Sequence, residues 1–256
     1  MDEQFLKVAK EAAIEGGKIV LKYYQSELDL FGKGHYANFA TKADLETEKE
    51  IVRVLTKNFP NHNIIAEEGG ITDNNSEYSW AIDPIDGTIP FVDGIPVFGV
   101  SIGLLKNNQP VLGVINMVAT DKLFWAQSGK GAYLNGKKIK VRQESSLQNS
   151  TLGVGFGHTE RLLKFDRYFK PVAEKVRFVY NFGSAVSVLS YLANGMVDGY
   201  IIRANIWDIA AGAVLVTEAG GKVTDLEGLP VNWTDKKIFM IASNGLIHNQ
   251  LVEALK

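Results

Sequence analysis

Residues 79–88 read Ser-Trp-Ala-Ile-Asp-Pro-Ile-Asp-Gly-Thr, an apolar run delivered straight into two carboxylates three positions apart. A chain carrying this run has to bury a strand and still bring its acidic end to a place where charge is tolerated. Pro84 fixes its own φ and pushes Asp83 toward an extended conformation. The pattern therefore predicts a strand that closes in a tight turn with both carboxylates on one side. Gly87-Thr88 follows directly, placing an amide pair where a helix could begin and an anion be met. Three further acidic sites stand elsewhere: Glu67-Glu68, Asp208 after Trp207, and Asp44.

The elements around these sites follow from periodicity. Phe5, Val8, Ala9, Ala12, Ala13, Val20, Tyr23 and Tyr24 fall at helical spacing, so residues 3–24 predict an amphipathic helix. A polar loop is expected through Gly32-Lys33-Gly34. Thr41-Lys42-Ala43-Asp44 has the form of a capping box, opening a second helix that Pro60 closes. Asn63 to Glu67 and Ser79 to Asp83 are short apolar runs ending in acid. From Val97 to Val141 the texture is all β, with strands expected over Val97–Leu105, Val111–Val118 and Leu123–Ala126 between turn residues. After Ser150, strands near Leu152–Gly155, Arg177–Tyr180 and Asp198–Ile202 alternate with helices near Thr159–Val172, Ser184–Ala193 and Ile209–Ala219. The expectation is one α/β unit of 256 residues, with an N-terminal α+β lobe over about 1–145 and a C-terminal α/β lobe over about 146–256.

Each acidic site also has a plainer reading. Asp-Pro and Asp-Gly are ordinary turn dipeptides. Glu67-Glu68 alone reads as a solvated acidic pair, Asp208 as an N-cap before Ile209-Ala210-Ala211, and Asp44 as the partner of Thr41 in the capping box. The run Asp83 to Thr88 behind its strand is the one site that a loop does not explain.

What is missing narrows the chemistry. No cysteine is present, so thiol catalysis and disulfides are excluded and a reducing compartment is expected. His35, His62, His158 and His248 are scattered without metal-ligand spacing, and loop or surface positions are expected for them. Gly153-Val154-Gly155-Phe156-Gly157 lacks the dinucleotide fingerprint, and no Walker loop occurs. A net charge of −2, from 27 basic and 29 acidic residues, argues against nucleic acid as a partner. The start Met1-Asp2-Glu3-Gln4 lacks a signal peptide's basic and apolar regions, and the longest apolar stretch, Gly94 to Leu105, is too short to span a bilayer. A cytoplasmic protein with no membrane association is expected. What remains is carboxylate-plus-metal chemistry.

With these residues in view, the sequence resembles the inositol monophosphatase family, within the lithium-sensitive, magnesium-dependent sugar phosphatases, as a bacterial-type member. The resemblance rests on Trp80-Ala81-Ile82-Asp83-Pro84-Ile85-Asp86-Gly87-Thr88 and on Trp207-Asp208-Ile209-Ala210-Ala211-Gly212, followed by Thr217-Glu218-Ala219-Gly220-Gly221. Ala66-Glu67-Glu68 and Thr41-Lys42-Ala43-Asp44 fall in the expected order, and the likeness covers essentially the whole chain.

The resemblance implies a layered α-β-α-β-α sandwich of the inositol monophosphatase and fructose-1,6-bisphosphatase type, and a homodimer. It implies two or three magnesium ions held by Glu67, Asp83, Asp86 and Asp208, with the Ile85 carbonyl as a backbone ligand. Gly87 and Thr88 would hold phosphate through their amides. Glu67, the Thr88 hydroxyl and Asp44 would serve catalysis by orienting or deprotonating water. Lys33 would lie near phosphate, Gly183-Ser184-Ala185 would form a substrate-contacting turn, and Asp86 and Asp208 would contact substrate as well as metal. The implied reaction is hydrolysis of inositol monophosphate and other small phosphomonoesters by direct attack of water activated on the metal, without a phosphoenzyme.

One departure concerns specificity. Seven residues before Asp208, where animal members carry an acid that grips inositol hydroxyls, this chain has Ile201. That predicts relaxed selectivity. Nearby Arg203 reads either as a solvated surface arginine or as an attraction for a more anionic substrate. The alternatives on the same scaffold are dephosphorylation of NADP(H), fructose 1,6-bisphosphate or a nucleotide 3′-phosphate. A protein-interaction role is the reading from a different class, and the near-neutral composition shows no patch that favours it.

Overall fold

The computed structural model describes residues 3–35, 38–157, 161–235 and 237–256. Helix α1 (Glu3–Tyr23) and helix α2 (Lys42–Asn58) flank a two-stranded hairpin, β1 (Leu30–His35) with β2 (Asn38–Thr41). Lys33, expected in a loop, is therefore on a strand. The run Leu-Phe-Gly-Lys-Gly-His carries no apolar alternation, because the hairpin stands apart from the main sheets and β1 buries little of its surface. Strands β3 (Asn63–Ala66), β4 (Gly70–Thr72) and β5 (Tyr78–Asp86) follow, and then a short helix α3 (Thr88–Val92). An antiparallel meander comes next: β6 (Gly99–Lys106), β7 (Gln109–Met117), β8 (Lys122–Gln127), β9 (Gly131–Leu134) and β10 (Lys137–Ile139).

These strands form one sheet in the order β10-β9-β8-β7-β6-β5-β3-β4. A second sheet is built from β11 (Thr151–Gly155), β12 (Phe178–Tyr180), β13 (Gly199–Ala204), β14 (Lys222–Thr224) and β15 (Ile238–Ser243), in the order β12-β11-β13-β15-β14. Between β11 and β12, α4 (Arg161–Lys164) passes through a π turn at Phe165–Phe169 into α5 (Lys170–Ala173). The helix expected over Thr159–Val172 thus begins outside the described residues, as does His158. Helices α6 (Ala185–Ala193) and α7 (Ile206–Glu218) precede and follow β13, and α8 (His248–Ala254) ends the fold.

Three apolar clusters define the layers. Phe5, Val8 and Ala12 of α1 and Ile51 and Leu55 of α2 pack on Trp80, Ile82, Ile102 and Val114 of the first sheet. Leu189 and Leu192 of α6 and Ile209, Ala210 and Leu215 of α7 fill the space between the sheets, against Ile115 and Phe124 on one side and Tyr200, Ile202 and Met240 on the other. Tyr168, Val172, Leu251 and Val252 cover Leu152, Val154, Ile201 and Ile241 on the outer face of the second sheet. The result is the expected α-β-α-β-α sandwich. Burial on both faces explains why β5 and β6 read as continuous apolar runs rather than as alternating strands.

His62 keeps an expected loop position, just before β3, whereas His248 departs from the loop or surface position expected for it. His62 stacks on Phe59 at 4.9 Å and its Nδ1 accepts the Trp80 indole N–H at 3.1 Å. His248 is fully buried at the start of α8. Its Nε2 lies 2.8 Å from Thr224 Oγ1 and its Nδ1 lies 2.8 Å from Ser243 Oγ. The Thr224 hydroxyl donates to the Asp225 carbonyl, so it accepts from Nε2–H and the ring is the Nε2 tautomer.

Burial, with a smaller push from Lys222, lowers the His248 pKa to about 4. That is below its unfolded value of about 6.5. The neutral ring stabilises the fold above about pH 6.5, by up to about 3 kcal/mol, and this is lost as pH falls toward about 4. Replacing His248 by Gln is expected to flatten the acid side of the melting-temperature profile relative to the wild type. Parallel profiles for the two proteins between about pH 4.5 and pH 6.5 would refute this role.

Candidate active site

Four elements converge on one point. β3 and β5 are parallel neighbours, and their C-terminal ends carry Glu67 and Asp83. The Glu67 amide donates to the Ile82 carbonyl at 3.2 Å, which keeps the two strand ends together. α7 starts between the sheets and presents Asp208 from its first turn. α2 presents Asp44 from its own first turn. Glu67, Asp83 and Asp208 each offer a carboxylate oxygen within 4.8 Å of the others.

The Asp83–Asp86 segment is a bulged strand rather than the expected turn. Asp83 pairs with Ser101 and Asp86 with Gly99, so three steps on β5 oppose two on β6. Pro84 lacks an N–H and falls within this irregularity, where a missing ladder bond costs least. Ile85 N donates to Asp83 Oδ1 at 2.9 Å, and Thr88 Oγ1 donates to the Ile85 carbonyl at 3.1 Å. Gly87 then turns the chain at φ +90°; a Cβ there would stand 2.7 Å from the Val97 carbonyl oxygen and 2.9 Å from Ser184 Cβ. Only glycine meets both demands.

Asp86 is directed elsewhere. Its Oδ2 accepts a short hydrogen bond from the Ser184 hydroxyl and another from Val186 N at 3.0 Å. Ser184 is the N-cap of α6 and is buried. The Gly183-Ser184-Ala185 segment, expected to contact substrate, is thus engaged in tying Asp86 to the start of α6. Asp86 lies outside the group of three acids that stand within 4.8 Å of one another.

The plainer readings of Asp44 and Asp208 prove partly right. Asp44 Oδ2 accepts from both Thr41 N and Thr41 Oγ1 at 2.6 Å, completing the capping box of α2. Asp208 is not the N-cap expected for it. The helix starts earlier, at Ile206, so Asp208 is its third residue, and its Oδ2 accepts from Asn205 N at 2.7 Å. Both acids thus serve a helix terminus and face the cluster as well.

The electrostatics record the crowding. Burial, then Glu67, Asp86, Asp208 and Asp44, push the Asp83 carboxyl well above its usual range. Burial, then Glu67 and Asp86, raise Asp208 to about 8 against the opposing Asn205 N–H and Lys237. Burial raises Asp44 to about 7 despite its bonds from Thr41, with Glu67 and Glu68 adding to the effect. Burial raises Asp86 to about 6, resisted by Ser184 and the amides of Val186 and Ala185. Lys33 reaches in: its Nζ is 2.9 Å from Glu67 and 2.5 Å from Glu68. Burial alone would lower the Lys33 pKa, but Glu67 and Glu68 overcome it and hold the ammonium above its usual value.

A site of this kind calls for positive charge. Its donors are all carboxylate or carbonyl oxygens, the set a hard cation prefers. Glu67, Asp83 and Asp208, with carboxylate oxygens within 4.8 Å of one another, would suit a hard divalent cation such as magnesium.

The family model for the inositol monophosphatase family matches residues 1–256. The chain belongs to the inositol monophosphatase family. It is 36% identical to the fructose-1,6-bisphosphatase/inositol-1-monophosphatase of Aquifex aeolicus, over 99% of this chain and 96% of that one. An inositol monophosphatase structure from Anabaena superposes with a TM-score of 0.88 at 37% identity, covering 99% and 95% of the two chains. The extragenic suppressor protein suhB of Bartonella henselae superposes with a TM-score of 0.92 at 34% identity, covering 99% of each. As a family member the chain is a phosphoric monoester hydrolase, of a family that generally depends on magnesium.

The specificity residues of the sequence reading do not fit this site. Ile201 is 1% exposed and lies in the outer core with Val154, Tyr168 and Ile241, so its side chain cannot line a substrate pocket. Its neighbours Tyr200 and Ile202 point to the opposite face, toward α6 and α7. Arg203 is half-buried, with its guanidinium 5.0 Å from the Phe239 ring, and is not a solvated surface arginine. The reading also missed Glu48 of α2, which is buried beside Glu68 and Gly69. The helical spacing from Asp44 to Glu48 was the available signal.

Proposed function

We propose that this protein hydrolyses small phosphomonoesters, inositol monophosphate among them, at the acidic cluster where β3, β5, α2 and α7 meet. The observation that carries this reading is the approach of Glu67, Asp83 and Asp208 to within 4.8 Å of one another, with Asp83 on the strand that runs on into Gly87-Thr88. In this reading Glu67, Asp83, Asp86, Asp208 and the Ile85 carbonyl would hold two or three magnesium ions. Bound there, magnesium supplies Lewis-acid stabilisation of phosphate charge and acidifies water. The amides of Gly87 and Thr88 hold phosphate oxygens, and Lys33, released from Glu67, adds a positive charge to them. The Thr88 hydroxyl orients the attacking water, with Glu67 and Asp44 placed to accept its proton. Phosphoryl transfer asks mainly for such positioning and charge stabilisation, and no residue here needs to be phosphorylated.

The catalytic unit comprises both lobes, about 1–145 and about 146–256, because Asp208 and Ser184 come from the second while the other acids come from the first. A homodimer in the cytoplasm belongs to the same reading, and the exposed Phe178 and Tyr180 on edge strand β12 offer an apolar face for pairing. No helix among the described residues is long and apolar enough to cross a membrane.

A second substrate, fructose 1,6-bisphosphate, is favoured by the likeness to the Aquifex aeolicus protein. Phosphate release with magnesium is to be measured over inositol 1-phosphate, fructose 1,6-bisphosphate, NADP and adenosine 3′,5′-bisphosphate, with and without lithium. Turnover of inositol 1-phosphate that requires magnesium and is inhibited by lithium is expected. No release from any of the four would overturn the reading. With Ile201 buried, relaxed selectivity has no support from that position, and Ile201→Glu is expected to unfold the outer core rather than to redirect specificity.

A further inference from the structure

Glu48 lies one helical turn beyond Asp44 on α2 and is 6% exposed. Its two oxygens are spent on backbone: Oε2 accepts Glu68 N–H at 2.8 Å and Oε1 accepts Gly69 N–H at 2.6 Å. A Cβ at position 69 would stand 2.9 Å from Glu48 Oε1, so the absence of a side chain there leaves room for the clamp. Burying a carboxylate is costly, and two amide donors offset that cost only while both stay in place. The clamped segment is the one that carries Glu67 into the acidic cluster.

We propose that Glu48 is a positioning residue: by gripping the Glu68-Gly69 backbone from α2, it holds Glu67 at a fixed distance from Asp83, Asp208 and Asp44. This rests on the reading of Glu67 as a magnesium ligand. The 67–69 segment is the turn that joins β3 to β4: Glu67 N–H still bonds to the Ile82 carbonyl, and the next two amides, Glu68 and Gly69, bond to Glu48. Without the clamp the turn would lose the bonds that directly follow Glu67, and the entropy of ordering it when a cation binds is charged against affinity. Because α2 also carries Asp44 on its capped first turn, one rigid helix sets both acids. Groups that orient metal ligands in this way typically change metal affinity about 10–100-fold when removed.

The test is calorimetric titration of magnesium chloride into metal-free wild type, Glu48→Ala, Glu48→Gln, Gly69→Ala and Asp83→Asn, with melting temperatures measured alongside. Glu48→Ala is expected to weaken magnesium binding about tenfold or more. Glu48→Gln, which keeps one acceptor, and Gly69→Ala, which displaces the carboxylate, should weaken it in the same direction. In steady-state assays the magnesium concentration for half-maximal rate should rise by more than kcat at saturating magnesium falls. If Glu48→Ala does not fold, the near-isosteric Glu48→Gln decides. Lower melting temperatures with wild-type magnesium affinity would make Glu48 merely structural and overturn the proposal. Wild-type affinity in Asp83→Asn as well would overturn the reading of the site, and the proposal with it.

Discussion

Asp83→Asn is expected to lower turnover about 1,000-fold, equal to about 4 kcal/mol of barrier, while leaving the metal-free fold at least as stable as the wild type. Both halves follow from position. Asp83 is buried on β5 where the bulge begins, within 4.8 Å of Glu67 and Asp208, and its negative charge is what a cation there would be held by. The amide keeps the oxygen that accepts Ile85 N–H, so the bulge survives the change. It also removes a buried charge that burial and four neighbouring acids already disfavour. Asp86→Asn should act in the same direction more mildly, since its amide oxygen can still accept from Ser184 and Val186. Phosphate release across a magnesium titration, with thermal melting of the metal-free proteins, checks this. Wild-type turnover in Asp83→Asn at ordinary magnesium, or a large fall in its metal-free melting temperature, would show that the acid serves structure rather than cation binding.

The metal-free protein is expected to lose stability as pH rises. Asp86, Asp44 and Asp208 titrate in the folded protein at about 6, about 7 and about 8, and Asp83 is raised too. The unfolded chain titrates them near 3.9. Above that value the folded state retains protons that the unfolded state has given up, so folding weakens as pH climbs through the folded values and levels off beyond them. His248 acts with the opposite sign but only below about pH 6.5. The interval from about pH 6.5 to pH 8.5 therefore isolates the acids, and a melting temperature falling by about 10 °C across it is expected in a chelator. Excess magnesium should abolish the fall, because a cation binds the deprotonated cluster and not the unfolded chain. A flat or rising metal-free profile in that interval would mean that Lys33 and the hydrogen bonds of Ser184, Asn205 and Thr41 already compensate the acids in full.

The sequence by itself determined the elements with strong periodicity and the identity of the acids. The apolar stripe of α1, the capping box of α2, the meander after Val97 and the alternation after Ser150 all reappear, because local spacing and turn chemistry suffice for them. The run from Trp80 to Thr88 pointed to the site because a strand ending in two carboxylates has few places to go. Other features were decided only by tertiary packing. Asp86 and Ser184 are far apart along the chain and meet because α6 lies between two sheets. The bulge at Pro84 depends on β6 as a partner, and the role of Glu48 depends on a turn twenty residues away. The position of Ile201 shows the physical reason most directly. Distance in sequence from Asp208 suggested a residue at the substrate, but a strand sends alternate side chains to opposite faces. Which face looks toward the site is set by the layer packed against it, and the layer over Ile201 is α5 and α8.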